Sequence, residues 1–237
     1  MSRAHASVAV VVQARMSSSR LRGKVLEDLG PASTLELLCR RLARLSEASA
    51  VVIATSDQEN DDPVAELAEQ LGLAAVRGPL DDVLERFRLA AEEVGCDAVV
   101  RITADCPLAE PAVIDRLIRM WREREDLHYV WNTREPRSFP DGLDAEVLSR
   151  WALEEAASQT ADPYDREHVT PFVRDRPERF PQRSLRLDPP ARAVKLSLDT
   201  AEDLAVIRSF VGRVGPDAGL ERILAEMGAG PSRMVVE

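Results

Sequence analysis

A chain of 237 residues, 45% hydrophobic and 30% charged, has enough material for one large α/β domain with a substantial core. Its formal net charge of −10 argues against duplex DNA or an anionic membrane surface as a partner. Cys39, Cys96 and Cys106 form no C-x-x-C pair and are odd in number, which suits reduced thiols. With no signal peptide and no apolar run of membrane-spanning length, the expected location is cytoplasmic.

The first element is the run Val8-Ala9-Val10-Val11-Val12, whose β-branched residues predict a strand buried on both faces. It breaks into a polar loop from Gln13 to Lys24. Residues 1–26 carry Arg3, Arg15, Arg20, Arg22 and Lys24 and no acid, against the charge of the chain as a whole. A cationic, hydroxyl-rich loop after a first strand is where α/β proteins hold phosphorylated ligands, although a solvated basic loop has the same composition. It is not a Walker A loop, because Ser18 and Val25 stand where Gly and Ser or Thr are needed. No G-x-G-x-x-G is present either.

Ser33-Thr34-Leu35-Glu36 has the form of a capping box and opens an amphipathic helix to about Leu45. A strand over Ala50–Thr55 follows, then a helix to Leu71 with Asp62 placed to cap it and Pro63 in its first turn. Leu73–Val76 predicts a third strand, Leu80 to Val94 a helix, and Asp97–Thr103 a fourth strand. This alternation predicts an α/β fold with a mostly parallel sheet and right-handed crossovers. The fourth strand ends in Arg101-Ile102-Thr103-Ala104-Asp105-Cys106-Pro107-Leu108. Asp105 there faces the ligand crevice of such a sheet, or caps the helix after it; both readings stay open on local pattern.

A helix over Pro111–Arg124 and a strand over Leu127–Asn132 come next, and the pattern then loosens through Pro136 and Pro140 to the turn at Asp141-Gly142. A helix from Arg150 to about Ser158 leads to Arg166-Glu167-His168-Val169-Thr170. Ala193–Leu198 predicts a strand ending in Asp199, after which Thr200 caps a helix with Asp203 three residues on. Asp217–Met227 reads as a terminal helix and 228–237 as a tail.

The loop Gln13-Ala14-Arg15-x-x-Ser18-x-Arg20-Leu21-Arg22-Gly23-Lys24 resembles the signature of the cytidylyltransferases that activate acidic sugars, with Arg22 in place of a proline. Within the acylneuraminate/Kdo cytidylyltransferase superfamily it looks nearest to the spore coat polysaccharide biosynthesis protein F-like members. R-I-T-x-D-C-P-L, P-D-G-L-D-x-E, R-E-H-V-T and D-T-x-E-D are similar to later family segments, so the resemblance runs from about Val8 to Phe210. It implies a three-layer Rossmann-like (GT-A-like) nucleotidyltransferase fold over residues 1–237, with core 8–210, an acceptor and dimerisation region at 128–170, and a C-terminal helix and tail at 217–237.

The resemblance further implies transfer of CMP from CTP to a small acidic acceptor, release of pyrophosphate, and a homodimer that binds neither nucleic acid nor membrane. Arg15, Arg20 and Lys24 would neutralise the triphosphate, and Asp105 and Asp199 would hold Mg²⁺. Gln13, Ala14, Arg15, Ser56, Arg77, Gly78 and Arg101 fall on the nucleotide side, with backbone around 13–15 reading cytosine. Asp141, Asp144, Glu146, Arg166 and His168 fall on the acceptor side. Two rivals are a nucleotidyltransferase of the same fold with another base or acceptor (a phosphonate, for example), and a glycosyltransferase or non-catalytic nucleotide-sugar-binding protein. The D-x-D of many glycosyltransferases is missing, since Pro107 takes the place of its second Asp.

Overall fold

The structure is a computed structural model and describes residues 3–191 and 194–237. Strand β1 (Val8–Gln13) sends Val8, Val10 and Val12 into one core and Ala9 and Val11 into a second. A strand apolar on both faces belongs in mid-sheet with helices above and below it. It pairs in parallel with β2 (Ala50–Ser56), which carries β3 (Ala74–Gly78) in parallel on its outer side. On its other flank β1 pairs in parallel with β4 (Ala98–Thr103).

Beyond β4 the sheet becomes mixed. Strands β5 (Tyr129–Trp131) and β6 (Glu146–Ser149) pair antiparallel, and β6 lies antiparallel against β4. Strand β7 (Gln182–Asp188) runs parallel to β5, and β8 (Arg233–Val236) closes the edge antiparallel to β7. The eight strands lie in the order β3-β2-β1-β4-β6-β5-β7-β8. The order of the parallel strands reverses between β1 and β4, and at such a point the outgoing loops part and leave a crevice.

Helices α1 (Thr34–Leu42), α2 (Asp62–Gln70), α3 (Val83–Val94) and α4 (Pro111–Arg122) connect the first strands. Leu35 and Leu38 of α1, Val64 of α2 and the Val113-Ile114-Leu117-Ile118-Trp121 stripe of α4 pack on the Val8 face. Phe87 of α3 packs on the Val11 face, joined there by Leu153 of α5 (Arg150–Gln159). The short helix α6 (Pro163–His168) leads to α7 (Pro171–Arg174), whose Phe172 closes the same core. A third cluster joins Leu108, Leu143, Leu196 and Leu198 to Ile207 and Phe210 of α8 (Ala201–Val214), with Ile223 of α9 (Leu220–Glu226). Each fully buried Leu or Ile contributes about 1.5–3 kcal/mol, so these three clusters, not the exposed ion pairs, hold the layers together.

Four expectations are corrected. Asp62 is the first residue of α2 and not its cap; Asp61 holds the cap position, but its buried carboxylate turns to Ser56 Oγ and the Met16 N–H instead. Residues 194–198 form no strand: Lys195 makes one isolated bridge to Asp141, and Ala193 lies outside the described residues. The expected tail contributes β8. Strands β6 and β7 are additions to the pattern expected from the sequence.

Candidate active site

The loop after β1 is shaped by a few local contacts. Met16 donates its N–H to Asp61 at 2.6 Å, and Gly23 donates back to the Met16 carbonyl at 2.9 Å, which closes residues 16–23 into a compact turn. Gly23 adopts φ 74°, a left-handed conformation that a side chain would strain, and delivers Lys24 into the crevice. Gln13 stands opposite Thr103 in the β1–β4 register, so Asp105 leaves its strand beside the loop.

Five charged groups meet there. Lys24 Nζ lies 2.6 Å from Asp105 Oδ2 and 3.0 Å from Asp199 Oδ1. Arg20 donates to the same Asp199 oxygen at 2.8 Å, and Lys195 approaches the other at 3.1 Å. Partial burial raises the Asp199 carboxyl, but hydrogen bonds from Lys24 and Lys195 outweigh it and hold the group below the usual carboxylate range. The two aspartates stand 94 positions apart in the chain, yet the Leu198 N–H donates to the Asp105 carbonyl at 2.8 Å. That bond clamps one carboxylate-bearing loop to the other. Thr200 caps α8 with a complete capping box, and the Asp203 carboxylate also accepts from the Asp199 N–H at 2.9 Å. Gly142 lets the segment before Asp199 come close: a Cβ on it would lie 2.4 Å from the Leu196 carbonyl carbon.

Two recesses open onto these carboxylates. One, of about 370 Å³, is lined by the β1 loop with Val83 and Arg86 of α3 and Glu167 of α6. The other, of about 530 Å³, is lined from the β5–β6 connection, α6 and α7. Arg20, Arg101, Thr103, Asp105, His168 and Asp199 belong to both, so the recesses meet where the charges converge.

Of the residues expected on the nucleotide side, Gln13, Ala14, Arg15 and Arg101 line the first recess, with Arg20, Lys24, Asp105 and Asp199. Ser56, Arg77 and Gly78 do not. Ser56 is buried against Asp61 beneath the loop, Gly78 packs its bare Cα against Arg86, and Arg77 turns outward to Asp62 and the carbonyls of Ser56 and Gln58. Of those expected on the acceptor side, Asp141, Asp144, Glu146 and His168 line the second recess. Arg166 does not; it is held by the Thr160 and Ala157 carbonyls and by Asp82. Arg86, Arg137, Arg174 and Lys195 were not anticipated. The sequence carried a sign of Lys195, which precedes Asp199 by four positions.

The charge arrangement differs between the recesses. In the second, Arg101 pairs with Glu146 at 2.6 Å, Arg137 with Asp144, and Arg174 with Asp175 at 2.8 Å. Glu146 also accepts from the Tyr129 hydroxyl and from Thr170 Oγ1 at 3.0 Å. Burial pushes the Asp144 carboxyl up to about 6, against the pull of Arg137. In the first recess, Gln13 Oε1, Ser17 Oγ and the Nε of Arg86 and Arg101 are buried without a partner. Buried polar atoms are nearly always satisfied, so orphans gathered around one cavity mark a place where a ligand completes the bonding.

Comparison with known proteins gives the family and the fold. Residues 9–213 match the family model described as cytidylyltransferase. The chain is 30% identical over 231 residues to the spore coat polysaccharide biosynthesis protein SpsF of Bacillus subtilis, covering 93% of this chain and 94% of that one. A solved cytidylyltransferase of Leptospira borgpetersenii superposes with a TM-score of 0.90 at 27% identity, covering 94% of each chain. A CMP:2-keto-3-deoxy-manno-octonic acid synthetase, solved in complex with CTP, shares the fold with a TM-score of 0.68 at 17% identity over 87% of this chain and 99% of that one. By sequence and by fold, then, the chain belongs to the cytidylyltransferase family and is a CTP-dependent nucleotidyltransferase.

Proposed function

We propose that the protein transfers CMP from CTP to a small acidic sugar or a related acidic acceptor and releases pyrophosphate. The observation that carries this reading is the junction of two recesses on Asp105 and Asp199, which Lys24 bridges from the first, one recess fit for a nucleotide and one for a second substrate. Arg15, Arg20 and Lys24 bind the triphosphate. The acceptor lies against Asp141, Asp144 and His168, with its nucleophilic oxygen directed at the α-phosphorus across the shared wall. The chain needs no nucleophile of its own for this displacement; it supplies position and fixed positive charge.

The donor set suits a divalent cation. Among the described residues no group of three or more His, Cys, Asp or Glu is arranged to hold a metal. Mg²⁺, however, is commonly bound through one or two carboxylates together with substrate phosphates and water. Asp105 and Asp199 already share one cation, the Lys24 ammonium, so their oxygens converge on a point where positive charge is stabilised. We assign these two residues to Mg²⁺, which when bound would offset the phosphate charge as pyrophosphate departs. With the ion in place, Lys24 is free to turn to the phosphates.

Pyrophosphate release measured with CTP, UTP, GTP and ATP against a panel of acidic sugars tests the proposal. Release with CTP and one class of acidic acceptor, dependent on Mg²⁺, is the expected result. Equal turnover of ATP, or turnover only of neutral acceptors, would overturn it.

A further inference from the structure

Arg86 is an arginine that no surface role explains. It lies on the first turns of α3 with 1% of its surface exposed, and no carboxylate comes within ion-pair distance of it among the described residues. One guanidinium nitrogen donates to the carbonyls of Pro79 and Leu80 at 2.6 and 2.8 Å, while the Nε–H finds no acceptor. A buried charge without a partner is costly, and nature seldom keeps one merely to hold two carbonyls. The surroundings are shaped to seat it: a Cβ at Gly78 would press on Arg86 Cγ at 3.1 Å, and the alternation of β3 sends Arg77 outward and Gly78 inward.

The same cavity is lined by Gln13, whose buried Oε1 is an acceptor without a partner. The lining divides by chemistry. Lys24, Arg20, Asp105 and Asp199 suit phosphates and a cation, whereas Ala14, next to Gln13 in the chain, and Val83, one turn before Arg86 on α3, add apolar surface to the same lining, of the kind a flat ring packs on. Cytosine presents an amino donor on one side of its pairing edge and acceptors on the rest, while uracil replaces that donor with an acceptor.

We infer that Gln13 and Arg86 read the base, Gln13 Oε1 accepting from the cytosine amino group and the Arg86 guanidinium donating to the ring acceptors. The inference deepens the cytidylyl reading above and rests on it. It assigns base choice to side chains from two elements that are 73 positions apart, in addition to the backbone of the β1 loop.

Calorimetric titration of CTP and UTP with Mg²⁺ into the wild type, Arg86→Lys, Arg86→Met and Gln13→Leu tests it, with thermal melts and pyrophosphate inhibition measured alongside. Loss of a hydrogen bond to a charged donor should weaken CTP binding by about thirtyfold in Arg86→Met, with inhibition by pyrophosphate nearly unchanged. Arg86→Lys keeps the charge but not the planar fork and should lose the preference for CTP. Gln13→Leu should lower the CTP-to-UTP ratio by about tenfold. If Arg86→Lys and Gln13→Leu both keep the wild-type ratio, whatever the melts show, the inference is overturned. Should the Arg86 variants fail to fold, Gln13→Leu decides alone. Absence of CTP binding in the wild type would overturn the cytidylyl reading itself, and this inference with it.

Discussion

The two recesses share a wall and differ in how their polar groups are settled. In the first recess Gln13, Ser17, Arg86 and the shared Arg101 keep buried atoms without partners, while Arg15, Arg20 and Lys24 are each paired with a carboxylate. In the second Arg137 and Arg174 are paired in the same way, and among the described residues only the shared Arg101 keeps an open buried atom. A site with open bonds gains from any ligand that supplies them, and its affinity is set by fit. A site whose cations are already paired must give up an internal ion pair before it takes an external anion, so selectivity there comes from exchange. On the function proposed above, the first substrate would be held by completing open bonds as well as by exchange of ion pairs, the second by exchange alone.

Substitutions at the shared wall should damage both sides and give the largest effect. Asp105→Asn and Asp199→Asn keep shape but remove charge, and each should lower turnover by roughly three orders of magnitude. The double variant should be little worse, because groups acting as a unit are non-additive. Pyrophosphate release against Mg²⁺ concentration measures this; near wild-type rates in either variant would return that aspartate to a capping role.

Lys24→Ala and Arg15→Ala confine the damage to the nucleotide side. Turnover should fall by roughly two to three orders of magnitude, with little change in melting temperature. Early melting in both would make the loop a structural element.

A smaller effect should appear on the acceptor side alone. Asp144, raised to about 6, gives up its charge as pH falls through that value and releases Arg137 for an acidic acceptor. The acceptor KM should therefore fall from pH 7 to pH 5 while the KM for CTP stays level, and Asp144→Asn should flatten the acceptor profile. An unchanged profile in Asp144→Asn would disconnect this pair from acceptor binding.

The smallest expected effect is on stability. The Asp199 carboxyl is held below its ordinary value of 3.8, so its contribution is complete above that value and is lost as pH falls through the lower folded one. Asp199→Asn should therefore destabilise the fold at neutral pH and not at strongly acidic pH. A denaturant series at the two pH extremes separates these cases.

Much of the nucleotide side was legible because it lies in one continuous stretch. The valine run fixes β1 at mid-sheet, and the spacing from Gln13 to Lys24 belongs to a single loop. The acceptor side is assembled from short pieces. Four residues of β6 are too few for a period to show, and β7 carries Arg183 and Arg186 among the leucines that turn inward. Arg86 was hidden for another reason: in Glu85-Arg86-Phe87-Arg88 it looks like the polar face of an amphipathic helix, and Arg88 does pair with Glu85 and Glu92 in that way. Helical period tells which residues share a face; it does not tell that a cavity opens beneath one of them. The Asp61 and Asp62 exchange has a similar cause, since a carboxylate drawn to the Met16 N–H by tertiary contact looks the same in sequence as one that caps.

Gly142 gives the site a weak point that holds no reacting atom. Its positive φ of 99° and the 2.4 Å that would separate a Cβ from the Leu196 carbonyl carbon leave no room for any side chain. Since the Leu196 N–H is bonded to the Asp141 carbonyl, whatever lifts this crossing also lifts the segment that ends in Asp199. In a library of random substitutions, position 142 should therefore score among the site positions, and even alanine there should look like a lesion of Asp199. A screen that ranks residues by intolerance would class this glycine with the chemistry, although its part is to set a clearance.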